Sequence, residues 1–120
     1  MDLKPKYAGK AWYIELTTQI AGQNADLTTA PEIVFSVKRS RRDADGAAIV
    51  RVTKSAGQII VDSDEKHVAK ITVPQAETAD FPTTDIDYYW DLTIRDATSK
   101  EFVVDSGMVP VYAPVTISTT

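Results

Sequence analysis

One histidine, two acidic clusters and one basic run hold most of the polar chemistry this 120-residue chain could perform. His67 is the sole imidazole. A Ser-His-Asp arrangement needs a nucleophilic serine held against it, and no Gly-x-Ser-x-Gly turn is there to supply one. A zinc site of one imidazole plus carboxylates is uncommon; the plainer reading is a surface residue where a strand begins. Asp43-Ala44-Asp45-Gly46 opens like a calcium loop, but such a loop needs Gly at its sixth position and Glu at its twelfth. Those positions hold Ala48 and Lys54. Asp62-Ser63-Asp64-Glu65 offers a few more oxygen ligands, with Lys66 beside them. Asp and Ser populate turns for their own hydrogen-bonding reasons, so both clusters read as solvated turns. No pair among 17 acidic residues can be singled out for glycoside chemistry. The expectation is a protein that is no enzyme, with no catalytic residue, cofactor or metal.

Recognition is the remaining possibility. Lys38, Arg39, Arg41 and Arg42 form the only dense basic run. They suit an acidic partner surface or phosphates, and they also suit a strand end that discourages unwanted pairing. Tyr13 and Tyr89 fall on the polar parity of their strands, where a tyrosine can stack on a sugar or anchor an interface. Exposed single aromatics are also ordinary. The candidate interface residues are therefore Tyr13, Tyr89, Arg39, Arg41 and Arg42, joined by Val115 and Ile117 of a β-rich tail over 114–120.

The elements that must position these groups are strands. Ile86, Tyr88, Trp90, Leu92 and Ile94 alternate with Asp87, Tyr89, Asp91, Thr93 and Arg95. Successive side chains of a strand point to opposite faces, so the run 86–96 has one apolar and one polar face. Its aromatic and β-branched residues suit that geometry. The run 10–20 alternates likewise, with Trp12 inward. Further strands are expected at 32–39 (Ile33, Phe35, Val37 to one side), 47–55, 58–62, 67–73 and 101–106, with a continuation over 108–113. The stretch 47–55 begins Ala-rich and is also compatible with a helical turn. Asp26 to Thr29 reads as a short bridge or edge piece, Gly107 as a bulge or kink, and Pro110 as a sheet-edge residue. Gln75 to Phe81 has fair helix formers between two prolines and predicts one helical turn crossing between sheets. Residues 1–9 read as a polar arm, because Pro5 and Gly9 discourage regular structure.

Six to eight short strands, with turn signals every ~8–12 residues, predict an all-β immunoglobulin-like antiparallel sandwich, with a small barrel as the alternative. The length predicts a single domain over 1–120, large enough to bury roughly two thirds of its unfolded surface. Hydrophobic residues make up 43% and charged residues 25%, a globular composition. With no cysteine, disulfides and thiolate metal sites are excluded. The net charge of −4 disfavours nucleic acid as a partner. No apolar run approaches the ~20 residues of a membrane helix, and Met1 to Tyr7 lacks the pattern of a signal peptide. The expected place of synthesis is the cytoplasm.

Several blocks resemble one another's counterparts in a phage family. These are Asp26-Leu27-Thr28 followed by Ile33-Val34-Phe35-Ser36-Val37; Ala47-Ala48-Ile49 to Thr53-Lys54; and Lys70-Ile71-Thr72-Val73-Pro74 with the turn Gln75 to Phe81. Asp87-Tyr88-Tyr89-Trp90-Asp91-Leu92 and Ser106-Gly107-Met108-Val109-Pro110-Val111 complete the set. Together they resemble small immunoglobulin-like structural domains of tailed bacteriophages and prophages, such as the N-terminal domain of siphophage baseplate upper proteins. The chain departs from that pattern at Gly9-Lys10, where the family has Gly-Asp, and at Thr29-Ala30-Pro31, where it has Gly-Ala. The resemblance implies a virion component made in the host cytoplasm, placed at the tail, baseplate or fibre attachment. It implies homo-oligomeric assembly and other virion proteins as partners, with open sheet edges and the tail after Pro114 as contact elements. A head decoration or head–tail joining protein is an alternative, as is a carbohydrate-binding module for a host glycan.

Overall fold

The computed structural model describes residues 2–20, 22–24, 26–40, 48–79, 81–96 and 98–113. Among them ten strand segments are defined. β1 is Lys6–Tyr7, β2 Trp12–Thr17, β3 Gln19–Ile20, β4 Gln23–Asn24 and β5 Glu32–Lys38. β6 is Val50–Thr53, β7 Ile59–Val61, β8 Val68–Val73, β9 Ile86–Arg95 and β10 Glu101–Tyr112. One sheet runs β1-β10-β9-β5-β6, a second runs β2-β8-β7, and β3-β4 form a small ribbon. The chain passes from one main sheet to the other between β1 and β2, between β2 and β5 by way of the β3-β4 ribbon, between β6 and β7, and between β8 and β9. This is the Greek-key connectivity of an immunoglobulin-like sandwich.

Alternation builds the core. β2 buries Trp12, Ile14 and Leu16, and β9 buries Tyr88, Trp90, Leu92 and Ile94. Ile33, Phe35 and Val37 of β5 lie opposite Ile94, Leu92 and Trp90, so three inward rows continue across the two strands. Phe35 stacks on Trp90 with ring centroids 5.9 Å apart. Each such side chain, taken wholly out of water, contributes on the order of 1.5–3 kcal/mol. The two tryptophans differ in one respect. Nε1 of Trp12 donates to the Tyr7 carbonyl at 2.9 Å, whereas Nε1 of Trp90 is buried with no hydrogen-bond partner among the described residues.

The corner between β8 and β9 is held by side chains. A 3-10 turn over Gln75–Thr78 follows Pro74, as the fair helix formers there predict. Thr78 is fully buried, and its hydroxyl lies 2.7 Å from the Lys10 carbonyl. The Tyr88 hydroxyl donates to the Thr83 carbonyl, five residues back. A tyrosine early in this strand, bonded upstream to the corner, is a hallmark of the fold.

Four local expectations differ from the structure. Leu27–Thr29 is a 3-10 turn rather than an edge piece, because the Asp26 carboxylate accepts from the Thr28 amide and caps it. The segment read as a polar arm is docked: Leu3 N–H donates to the Met108 carbonyl, Lys6 and Tyr7 pair in parallel with Val111 and Tyr112, and Ala8 is buried. The run over 101–106 and its continuation over 108–113 form one strand, with the bulge between Val103 and Asp105 and not at Gly107, which lies in register opposite Trp90. Pro110 lies between β9 and β1. Leu3 and Ala8 donate to the carbonyls of Met108 and Tyr112, so by alternation the missing N–H of Pro110 faces the two-residue β1, where no full ladder demands it. No helix among the described residues is long and apolar enough to cross a membrane.

Candidate interaction surface

The sheets offer two outer faces and a set of edges. On the larger sheet, Lys38 and Tyr89 lie opposite each other, next to the opposed pair Ser36 and Asp91. Lys38 Nζ stands 3.8 Å from Asp91 Oδ2, and Lys38 is only 8% exposed. Tyr89 is half-buried and helps line a cleft of about 300 Å³ with Lys38, Asp91 and Ser106. At one end of this face Arg95 Nη2 meets Glu101 Oε1 at 3.0 Å, an exposed pair whose stabilisation is ~0–1 kcal/mol. Opposite Arg95, burial works against the Glu32 carboxylate. The hydroxyl and amide of Ser55, the Ile33 amide and the Arg95 charge outweigh it and hold Glu32 below the usual carboxylate range.

Arg39 is exposed but engaged. Nη1 lies 3.4 Å from the Thr83 hydroxyl and its guanidinium carbon 5.9 Å from the Tyr88 ring centre. It therefore clamps the corner that Tyr88 closes. Arg41 and Arg42 lie outside the described residues, as do Asp43 to Gly46 and the tail residues Val115 and Ile117.

On the smaller sheet Tyr13 is 75% exposed. Tyr13 and Tyr89 stand on different sheets, so they make no common platform. Tyr13 sits across from Thr72, and Glu15 across from Lys70, which in turn faces Ile60 of β7. Ile60 is 62% exposed. His67 is half-buried just before β8, and its carbonyl accepts from both the amide and the hydroxyl of Thr18. Asp62 Oδ2 accepts from the Glu65 amide within its own turn. Among the described residues no three His, Cys, Asp or Glu gather to hold a metal ion.

The feature that local sequence did not reveal is an edge. Among the described residues, β2 pairs with β8 on one side and with no strand on the other. Thr18 N–H donates to the His67 carbonyl at 2.8 Å. Alternation from that bond turns the backbone of Trp12, Ile14 and Leu16 toward β8 and that of Tyr13, Glu15 and Thr17 away from it. On the far side of β8, the Thr72 amide donates to Gln58 and the Val68 carbonyl accepts from Asp62, which fixes the same phase. Among the described residues no hydrogen bond reaches the outward groups of Tyr13, Glu15 and Thr17. The chain before β2 pairs with β10 and not with β2. The only sequence signal was the absence of proline and the single charge, Glu15, between Trp12 and Thr17.

No protein-family model matches this chain, and no curated protein does. Among solved structures, the crystal structure of CopC from Methylosinus trichosporium OB3b is similar, with 9% identity and a TM-score of 0.47, covering 95% of this chain and 89% of that chain.

Proposed function

We propose that this protein is a structural component of a tailed-phage particle, at the tail, baseplate or fibre attachment, and that it works by protein–protein assembly. The observation that supports assembly best is the outer edge of β2, which no strand among the described residues covers. A strand laid along it gains main-chain hydrogen bonds from Tyr13, Glu15 and Thr17, and alternate side chains set specificity. The phage assignment rests on the sequence blocks around Asp26, Tyr88 and Gly107. Its partners are other virion proteins and further copies of itself, and it is made in the host cytoplasm. Mass spectrometry of gradient-purified particles from the strain carrying the gene tests this. The expected result is that the protein co-sediments with intact particles. Its presence only in the soluble lysate contradicts the reading, and its presence in isolated heads would move it to a head decoration or joining role.

A second reading, a glycan-binding module, draws on Tyr13, whose ring stands free on the sheet face. A glycan array probed with the native protein and with Tyr13→Ala tests it. Hits lost in the variant favour it, and an array without hits removes it.

A further inference from the structure

The outer face of the smaller sheet carries an apolar group at two opposite corners and a charge pair between them. Tyr13 stands across from Thr72, and in the next outward row Glu15, Lys70 and Ile60 lie side by side across β2, β8 and β7. Tyr13 and Ile60, 75% and 62% exposed, are the two most exposed large apolar side chains among the described residues. Glu15 and Lys70 are neighbours in the ladder. Among the described residues neither side chain makes an ion pair or a hydrogen bond, so both charges face outward uncompensated. A shallow depression of about 310 Å³ lies between Tyr13, Glu15, Lys70 and Thr72.

We propose that this face packs on the same face of a second copy of the chain about a two-fold axis. The inference rests on reading the protein as an assembly module whose partners include further copies of itself, and it names a surface apart from the β2 edge. A closed two-fold contact requires a surface complementary to itself. With strands about 4.8 Å apart and a rise of about 3.4 Å per residue, Tyr13 and Ile60 are about 12 Å apart along a diagonal of the face. Let the axis lie between the copies, parallel to both sheets and perpendicular to that diagonal at its midpoint. It exchanges the corners, so Tyr13 of each copy packs on Ile60 of the other. The same rotation brings Glu15 to within about 3 Å of Lys70 of the other copy, seen down the sheet normal. Four charges then alternate in sign around the axis, and each Lys70 stem covers the other copy's depression. The strands of the two copies cross at about 70°, near the orthogonal class of sheet packing.

Charge selects this arrangement over other ways of stacking the two faces. An axis along β8 sets Lys70 on Lys70. An axis across the strands at that row sets Glu15 on Glu15 as well, and like charges so placed repel. Other occupants use less of the pattern. A sugar stacked on Tyr13 leaves Ile60, about 12 Å away, in water. An unrelated protein has to carry an apolar pair and a charge pair in the matching order, which a second copy supplies by symmetry. A face three strands wide is smaller than the ~800 Å² per partner of a standard interface, so the dimer comes apart on dilution.

Full-length charge variants test the pairing, with light scattering over a dilution series as the readout. The native chain is expected at twice the 13.2 kDa monomer mass or more, falling on dilution. Glu15→Lys gives the face two positive charges and Lys70→Glu two negative ones. Each alone is expected at half the native mass, and their equimolar mixture at the native mass, because the two faces then attract. The double variant E15K/K70E reverses the pair and is expected to associate like the native chain. Ile60→Asp should weaken native association about tenfold or more. Native protein that stays monomeric at the highest attainable concentration overturns the proposal. So does a native mass unaltered in E15K, K70E and I60D, the result for pairing elsewhere on the molecule, or a mixture that forms no complex. Far-UV circular dichroism verifies folding, and K70E with I60D, both off β2, carry the test if E15K unfolds. Failure of the phage reading shows separately, as absence from particles with the mixed complex intact.

Discussion

Lys6 lies opposite Val111 in parallel register, and that pairing sets the N-terminal segment along β10 and not along β2. Had the N-terminal segment crossed to β2, the Tyr13, Glu15 and Thr17 backbone would be satisfied and the β10 flank bare. Instead the Asp2 carboxylate accepts from the Met108 amide, and Leu3 and Ala8 donate to the Met108 and Tyr112 carbonyls of β10. Among the described residues, cover along β10 and an unpartnered outer edge of β2 are thus a single topological choice.

The Tyr88 hydroxyl closes the corner before β9. Tyr88→Phe keeps the ring against Phe81, 4.9 Å away between centroids, and removes the bond to Thr83. The expected cost is about 1–1.5 kcal/mol. It is read as a lower urea midpoint at unchanged slope, and an unchanged midpoint contradicts the role.

The tryptophans allow a paired comparison. Trp12→Phe and Trp90→Phe delete the same atoms from buried sites, but among the described residues only Trp12 loses a hydrogen bond. Trp12→Phe should therefore cost about 1 kcal/mol more. Chemical denaturation of both variants checks the order, and a larger loss at Trp90 would contradict it.

Thr78→Val keeps the shape of a fully buried residue and removes the hydroxyl from the Lys10 carbonyl. The expected destabilisation is ~1–2 kcal/mol, measured by thermal or urea melts. Its consequence is local: the turn through Gly9, whose amide donates to the Thr78 carbonyl, should show faster amide exchange.

Acid stability carries a sign. The Glu32 pKa is lowered in the folded state, where burial opposes the charge but the Ser55, Ile33 and Arg95 interactions prevail. Its contribution is therefore present above the unfolded value, about 4.3, and is lost as pH falls through the lower folded value. Ser55→Ala should raise the Glu32 pKa and flatten stability against pH below about 4.5. Carboxylate NMR titration reads the first effect and urea midpoints the second, and a Glu32 titration unmoved by Ser55→Ala would refute the assignment.

Much of the sandwich was legible because its strands have unlike faces. The alternation around Trp90 and around Ile14 marks what lies inside without any knowledge of neighbours. The misread pieces lack such a pattern. Asp26 caps Thr28 through a side-chain bond that an Asp-x-Thr spacing hints at but does not require. The bulge between Val103 and Asp105 has no marking residue, while Gly107, which looked like one, sits in register. Lys6–Tyr7 is a strand only because β10 is beside it. The outer edge of β2, unpartnered among the described residues, belongs to that last kind: the lack of proline and the single charge, Glu15, permit pairing there, but whether it is filled depends on where residues 2–8 go. Tyr13 was legible as exposed from its parity, whereas Arg39 was legible as charged but not as the clamp over Tyr88.

The most direct measurement of the central claim is amide hydrogen exchange along β2, resolved by residue, in the native chain at low and at high concentration. At low concentration, the Ile14 and Leu16 amides should be protected by β8, while those of Tyr13, Glu15 and Thr17 exchange freely. At high concentration, the three outward amides should become protected, and dilution should release them. Outward amides that stay unprotected in the associated protein, or that are equally protected in the dilute monomer, would contradict strand addition at this edge.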